Sequence, residues 1–398
     1  MSQKLKTGMI GFGSRGTGLL KDVILPMERT EIKMVCDVYE DRTKKAADLI
    51  EERTGRRPQE VSDYKKIIQD TEIEMILITC SWEDHIKIAI DAMKAGKAVG
   101  MEVAGSYTIE QCWDLVKVYE ETKTPIMLLE NCCYGRREMM AVNMRDLGVF
   151  GTIVHCKGGY HHDLREEVSG GIKNRHYRLR NYLNRNCENY PTHELGPIAK
   201  ILNLNHGNRM MYLTSVSSKA AGLQEYLELK MPEDPLAKET FAQGDIITTI
   251  IKCAGGETIT LTLDTTLPRF YSRDFTVRGT KAMYEEATDS VFVDGEEDKK
   301  YDFKWKEKWG NAAEYEEKYD HPVWKDYLKE GVKGSHNGMD WLVLKAFFDS
   351  VENGTPCPID VYDTASWMCI TALSEESIMF GGRPMAIPDF TKGKWMTR

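Results

Sequence analysis

Near the start of the chain, Gly11-Phe12-Gly13-Ser14-Arg15-Gly16 has the types and spacing to hold a phosphate. The hexapeptide follows a short apolar run, Lys6 to Gly11, and precedes a helical pattern from Thr17 to Met27. In that setting each glycine has its own role. Gly11 permits a tight turn, Gly13 lets backbone approach a pyrophosphate, and Gly16 lets helix and strand pack closely. The helix start adds unpaired N–H groups and the positive end of its dipole. A second apolar run, Ile32 to Cys36, ends at Asp37. A carboxylate about 20 residues beyond the glycines binds a ribose hydroxyl, which favours NAD over NADP because a 2′-phosphate would be repelled. The plainer alternative is a glycine-rich turn with a surface aspartate.

Other groups carry chemistry with less definition. His161-His162-Asp163 offers three metal-ligand types in a row, but neighbours on a strand face opposite sides, so no metal is expected there. Glu130 stands at a strand end, where a buried ion pair is the competing role. Trp305, Trp309, Tyr315, Tyr319 and Trp324 would suit a carbohydrate platform, loop packing or an oligomer contact. The adjacent Cys132 and Cys133 read as buried packing rather than a redox pair.

The elements that must position these groups fall into two textures. Up to about residue 135, strands alternate with helices. Strand patterns at Met75 to Cys80, Ala98 to Val103 and Ile126 to Leu129 are separated by helices over Asp84 to Ala95 and Thr108 to Thr122. A further helix over Asp41 to Arg53 has Asp41 as its expected N-cap. The Thr108-x-x-Gln111 spacing is that of a capping box. Such alternation implies a parallel, doubly wound sheet. After a helix over Arg136 to Leu147 come longer β-like runs: Thr152 to Gly159, Met211 to Ser217, Ile246 to Cys253, Thr258 to Thr265, Asp274 to Gly279 and Ala282 to Glu286. The expected fold is therefore α/β, with a dinucleotide-binding domain over 1–135 and an α+β domain over 136–398 built on a large, mostly antiparallel open sheet. Between its strands, the polar, aromatic and basic stretch His161 to Asn189 has weak periodicity, as substrate-binding loops often do. Asp294 to Asp320 reads as an exposed excursion, and Gly338 to Asn353 and Tyr362 to Gly381 as helices.

The bulk properties exclude several classes. At 398 residues the chain is long for one core, and 41% hydrophobic with 29% charged residues is a globular composition. A net charge of −9 argues against a nucleic-acid partner. The basic stretches Arg136-Arg137 and Arg175 to Arg185 suit a small anion or salt bridges. No apolar run reaches the roughly 18 residues of a membrane span. The opening MSQKLKTGMIGFG leaves no room for a signal peptide, and ten scattered cysteines without a CxxC pair read as reduced thiols, so a cytoplasmic location is expected.

Several segments together carry a resemblance: GFGSRG, Trp82-Glu83-Asp84-His85, Met101-Glu102-Val103, Leu129-Glu130-Asn131, Gly159-Tyr160-His161-His162-Asp163-Leu164-Arg165, Tyr190-Pro191-Thr192-His193 and Tyr271-Ser272-Arg273. The chain resembles the Gfo/Idh/MocA superfamily, and within it the NAD-dependent glycosidases of glycoside hydrolase family 109, whose type activity is α-N-acetylgalactosaminidase. The resemblance implies that Ser14, Arg15, Asp37, Trp82, His85, Glu102, Val103 and Asn131 touch NAD, beside Gly11, Gly13 and Gly16. It implies that Glu130, Tyr160, His162, Arg178, Tyr190, His193 and Tyr271 line the sugar pocket, with Tyr190 touching both ligands. Sugar dehydrogenases of the superfamily usually carry a lysine where this chain has Val103, and the glycosidase branch carries valine. Departures from that branch are Asn186-Cys187-Glu188-Asn189 before the tyrosine–proline–threonine–histidine segment, Glu194 after it, Tyr177 for a tryptophan, and Ala104 for a proline. Glu194 would add negative charge near the site.

The implied reaction is redox-neutral: C3 of the sugar is oxidised, the acidified C2 proton leaves, the aglycone is eliminated from C1, water adds, and C3 is reduced again. His193 is the expected base for the 3-hydroxyl, since histidine is the side-chain type that ordinarily titrates near neutrality. Tyr160 is the candidate at C2, with Arg165 and Arg178 as cations that would ease its ionisation. Glu130 and Arg178 would orient hydroxyls or an N-acyl group. On residue pattern alone, His193 would equally serve to cap or pack a helix starting near Pro197. Two other functions stay open: a sugar or polyol dehydrogenase making a 3-keto sugar, and a non-catalytic NAD-binding regulator. The partner expected is a small glycoside, and the superfamily implies a homo-oligomer through the open sheet.

Overall fold

The computed structural model describes residues 4–296 and 304–398. The chain divides into two compact units, Met1–Gly135 with Gly331–Ser366, and Arg136–Glu330 with Trp367–Arg398. Residues 331–366 pack within the first unit.

The first unit is a parallel sheet of six strands: β1 (Leu5–Ile10), β2 (Thr30–Cys36), β3 (Gln59–Val61), β4 (Met75–Ile78), β5 (Ala98–Met101) and β6 (Ile126–Leu128), in the order β3-β2-β1-β4-β5-β6. All four residues of β4 and all four of β5 are buried, as a sheet covered on both faces requires. The order reverses between β1 and β4, so the ligand crevice of such a sheet lies beyond the ends of those two strands. Thr108 and Gln111 form the expected capping box of helix Ile109–Thr122. Asp41 does not cap its helix. That helix runs Glu40–Thr54 behind Tyr39, with no side-chain cap, and Glu40 and Asp41 instead face the positive end of its dipole. β3 escaped the sequence pattern because Gln59 and Glu60 are exposed and only Val61 is buried. Helix Met339–Asn353 packs on the short turn Asn131–Tyr134, and Phe347 lies against Gly100, where a methyl group would come within 2.7 Å of its ring.

The second unit carries an eight-stranded sheet: β7 (Ile153–His161), β8 (Met210–Ser217), β9 (Ile246–Cys253), β10 (Thr258–Asp264), β11 (Thr276–Gly279), β12 (Ala282–Glu285), β13 (Ser290–Val293) and β14 (Met385–Ala386). The order is β13-β12-β11-β7-β10-β9-β8-β14, and β7 with β10 is the parallel pair in an otherwise antiparallel sheet. Alternation along β9 and β10 buries one face of the sheet. Ile247, Ile251, Ile259, Leu261, Leu263 and Val277 are at most 1% exposed, each contributing roughly 1.5–3 kcal/mol. Helix Pro191–Ile201 packs on that face over β7 and β10. The stretch after β7 is helical in pieces, Arg165–Ser169, Gly171–Asn174 and Arg178–Asn184, each too short to show a period. Of the aromatic cluster, Trp305 and Trp309 are exposed while Tyr315, Tyr319 and Trp324 are buried, so packing accounts for the last three; residues 297–303 of the expected excursion lie outside the described part. Arg136 pairs with Asp320 at 2.6 Å and Arg137 with Asp289 at 2.8 Å, which makes this basic stretch a salt-bridge site.

Candidate active site and cofactor cradle

In the first unit the glycine loop has the shape a dinucleotide needs. Gly11 has φ +97°, and a side chain there would overlap the backbone of Thr79 and Cys80 at the end of β4. A methyl group on Gly16 would overlap the Gly11 carbonyl, so this glycine lets the helix close on the loop. Above Gly13 a methyl group would meet only Arg42 Nη1, at 3.9 Å, and that face is open to a pyrophosphate. The shape of this loop, with two close approaches and one open face, fits the pyrophosphate of NAD.

The polar groups around the loop are anchored. Asp37 is buried and accepts the Phe12 N–H at 2.7 Å and the Tyr39 N–H at 3.0 Å, so it shapes the loop. Ser14 is exposed at the helix start. Arg15 bridges two carboxylates: its Nε and Nη2 donate to Glu102 at 3.1 and 2.9 Å, and its Nη1 and Nη2 donate to Asp340, both at 2.8 Å. Burial alone would raise the Asp340 carboxyl, but hydrogen bonds from His336 and Arg15 hold it well below the usual carboxylate range. Trp82, Val103 and Asn131 are buried, and Asn131 Nδ2 donates to Asp340 at 2.7 Å. His85 is buried with Nε2 3.1 Å from the Cys80 carbonyl, and burial pushes it down to about 4, so the ring is neutral. Glu130 is fully buried in this unit and accepts the Cys132 N–H at 3.0 Å, capping the turn Asn131–Tyr134. Cys132 and Cys133 are buried beside it, in keeping with packing.

The second unit gathers Tyr160, His162, Tyr190, His193 and Tyr271. Tyr160 near the end of β7 and His162 just past it share a side because they are two residues apart. The Tyr160 hydroxyl lies 3.0 Å from His162 Nδ1. His161 faces the other way and pairs its backbone with Ser272, N to O 3.0 Å in both directions, which ties Tyr271 to the site. Tyr271 then stands edge-on to His162, ring centres 5.2 Å apart. Asp163 is taken by Arg165 at 2.7 Å, so His161, His162 and Asp163 do not converge.

Tyr190 and His193 come from the first turn of helix Pro191–Ile201 and its N-cap. Their rings are 4.7 Å apart, and the Tyr160 ring lies 4.4 Å from Tyr190 and 5.6 Å from His193. The helix begins at Pro191 rather than near Pro197. Pro197 sits inside it and cannot donate to the His193 carbonyl, which loosens the turn bearing the histidine. Arg178, buried, has its guanidinium 4.9 Å from the Tyr190 ring and 5.9 Å from the Tyr160 ring, and pairs with Glu167 at 2.9 Å.

Two expectations need correction here. Tyr160 is not eased towards ionisation: burial pushes it up to about 12, outweighing the opposing effect of Arg178. Arg165 is bound to Asp163 and lies over the Tyr226 ring at 5.0 Å, so it is spent elsewhere. Glu194 likewise brings no charge to the pocket. It is buried with Glu188, 1% and 0% exposed. Burial pushes Glu188 up to about 8, and burial followed by the neighbouring Glu188 pushes Glu194 well up, so the pair holds a proton at neutral pH. Glu188 accepts the Tyr190 N–H at 3.4 Å and donates its own N–H to Ser374 Oγ at 2.8 Å, fixing the approach to the helix.

Residues 5–129 match the family model described as an oxidoreductase family NAD-binding Rossmann fold. Residues 134–397 match the glycosyl hydrolase 109 C-terminal domain. A glycosyl hydrolase family 109 protein of Stenotrophomonas maltophilia (strain K279a) is 36% identical over all of this chain and 91% of its own length. An alpha-N-acetylgalactosaminidase of Tannerella forsythia is 35% identical over 99% of this chain and 88% of its own. A levoglucosan dehydrogenase in complex with NADH has the same fold, with a TM-score of 0.70 at 18% identity over 97% of this chain and 100% of that one. With an NAD-binding Rossmann unit and a matching C-terminal unit, and relatives aligned along the whole chain, the protein belongs to glycoside hydrolase family 109.

Proposed function

We propose that this hydrolase cleaves small glycosides, of the α-N-acetylgalactosaminide type first, using NAD as a catalyst restored in every turnover. The observation that carries the reading is the grouping of Tyr160, His162, Tyr190 and His193 beside the cation of Arg178. Direct hydrolysis by two carboxylates is not served there, since Glu188 and Glu194 are buried and Asp163 and Glu167 are held by Arg165 and Arg178. Bound NAD would supply the hydride acceptor and donor for C3 of the sugar. His193 takes the proton of the 3-hydroxyl and returns it at the end. Tyr160 moves the C2 proton; its buried phenol keeps its own hydrogen at neutral pH, so it hands that hydrogen to His162 across the 3.0 Å contact as it takes the one from C2. Loss of the C2 proton expels the aglycone from C1, and water adds there. Arg178, Tyr190 and Tyr271 orient the ring, and Glu130 orients a hydroxyl or N-acyl group. Ser14, Arg15, Asp37, Trp82, His85, Glu102, Val103 and Asn131 serve the cofactor, with Tyr190 touching both ligands. Val103 cannot titrate, which disfavours a net dehydrogenase.

The solvent face of the second sheet favours self-association. Tyr212, Val216, Ile250 and Phe292 are 44–54% exposed on it, and the register sets Thr214, Thr248 and Thr260 among them. We place the protein in the cytoplasm, a reducing compartment suited to its ten unbonded cysteines.

The test follows nitrophenol and NADH together across a panel of α- and β-nitrophenyl hexosides and N-acetylhexosaminides. Nitrophenol without accumulating NADH supports the redox-neutral route. Stoichiometric NADH without nitrophenol replaces it with dehydrogenation to a 3-keto sugar.

A further inference from the structure

In the first unit, His336, Asn337 and Gly338 have φ of +50°, +54° and +90° in succession. Two of these are not glycine, and such a turn persists only where its surroundings hold it. Asp340, fully buried, supplies the hold. Its Oδ1 accepts from Arg15 Nη2 at 2.8 Å and Asn131 Nδ2 at 2.7 Å. Its Oδ2 accepts from Arg15 Nη1 at 2.8 Å, Ser335 Oγ at 2.6 Å and His336 Nδ1 at 2.7 Å.

An imidazole nitrogen this close to a carboxylate oxygen carries the hydrogen. With Nδ1 engaged by Asp340, Nε2 is the ring nitrogen left to face a ligand. The side chain is 55% exposed although its anchor is buried. Arg15, one residue before the last glycine of the loop, is spent on Glu102 and Asp340 and acts as a brace between the loop and this turn.

Strand order says which half of a dinucleotide is near. Asp37 follows β2, on one side of β1; Glu102 follows β5, on the other side beyond β4. With the adenosine ribose at Asp37, the Glu102–Arg15–Asp340–His336 group stands on the nicotinamide side.

We propose that His336 binds the ribose of the nicotinamide half, its Nε2 sharing a hydrogen bond with a ribose hydroxyl, and that Asp340 and Arg15 aim it. The assignment rests on the cofactor reading above.

The test uses His336→Asn in the full chain. Asparagine tolerates a left-handed φ, so the turn is kept while Nε2 is removed. Dissociation constants for NAD+, ADP-ribose and ADP are measured by calorimetry on wild type and variant freed of nucleotide. NAD+ and ADP-ribose should weaken about 3- to 10-fold, the worth of one hydrogen bond, while ADP, which has both phosphates and no second ribose, should not change. Unchanged NAD+ affinity overturns the proposal. An equal loss for ADP also overturns it, pointing to a phosphate contact or a damaged fold. If wild type itself fails to bind NAD+, the cofactor reading falls with it.

Discussion

The cofactor cradle and the tyrosine–histidine wall handle polar groups in opposite ways. Around the glycine loop, polar side chains are locked by charge. Asp37 takes two backbone N–H groups, and Arg15 lies between two carboxylates. Around Tyr160 most contacts are ring edges, ring faces and a hydroxyl-to-imidazole contact, with the single cation of Arg178 alongside. Locked charges make a fixed mould for a ligand that does not change shape. Rings and hydroxyls leave protons able to move, as the proposed series of proton transfers requires.

This contrast can be broken by substitution. His193→Ala should lower kcat by about 10²- to 10⁴-fold while the protein still retains NAD; normal turnover would remove the histidine from the mechanism. Tyr160→Phe should cost about 10²-fold in kcat and abolish exchange of the C2 hydrogen with deuterated solvent. If that exchange persists, another group moves this proton. In the cradle, Asp37→Asn should act on binding. The NAD+ dissociation constant should rise about 10-fold, from weakened charge-assisted bonds, with kcat at saturating NAD+ little changed. A fall in kcat alone would erase the division of labour.

The smallest effect is on stability. Glu188 holds its proton in the folded chain up to about 8, whereas the unfolded chain releases it near the ordinary 4.5. Its contribution is therefore full below about 4.5 and is lost as pH rises towards 8. Glu188→Gln removes this dependence. The variant should lose about 2–4 kcal/mol less stability than wild type between pH 5 and pH 9. Parallel melting-temperature curves across that range would show that the pair ionises freely.

What was legible in the sequence was local. The glycine loop and Asp37 lie within 27 residues of one another, and strand alternation alone puts Tyr160 and His162 on one side. Contacts between distant segments were not legible. Asp340 reaches Arg15 across 325 positions, and only a glycine before an apolar helix marks its place in sequence. The roles of Arg165 and Glu194 were misjudged for a related reason. Sequence places a charge near a site but does not say whether it is already partnered, as Arg165 is by Asp163, or buried until neutral, as Glu194 is.

The contact of β7 with helix Pro191–Ile201 sets how far Tyr160 stands from His193. At their crossing is Gly158, where a methyl group would come within 2.5 Å of the Glu194 carbonyl and 3.0 Å of Ile198 Cδ1. The spacing of the Tyr160 and His193 rings is thus governed from beneath, by a residue that has no side chain. Natural variation at this hidden position would retune the catalyst as a shim retunes a hinge, leaving every functional group of the wall unaltered.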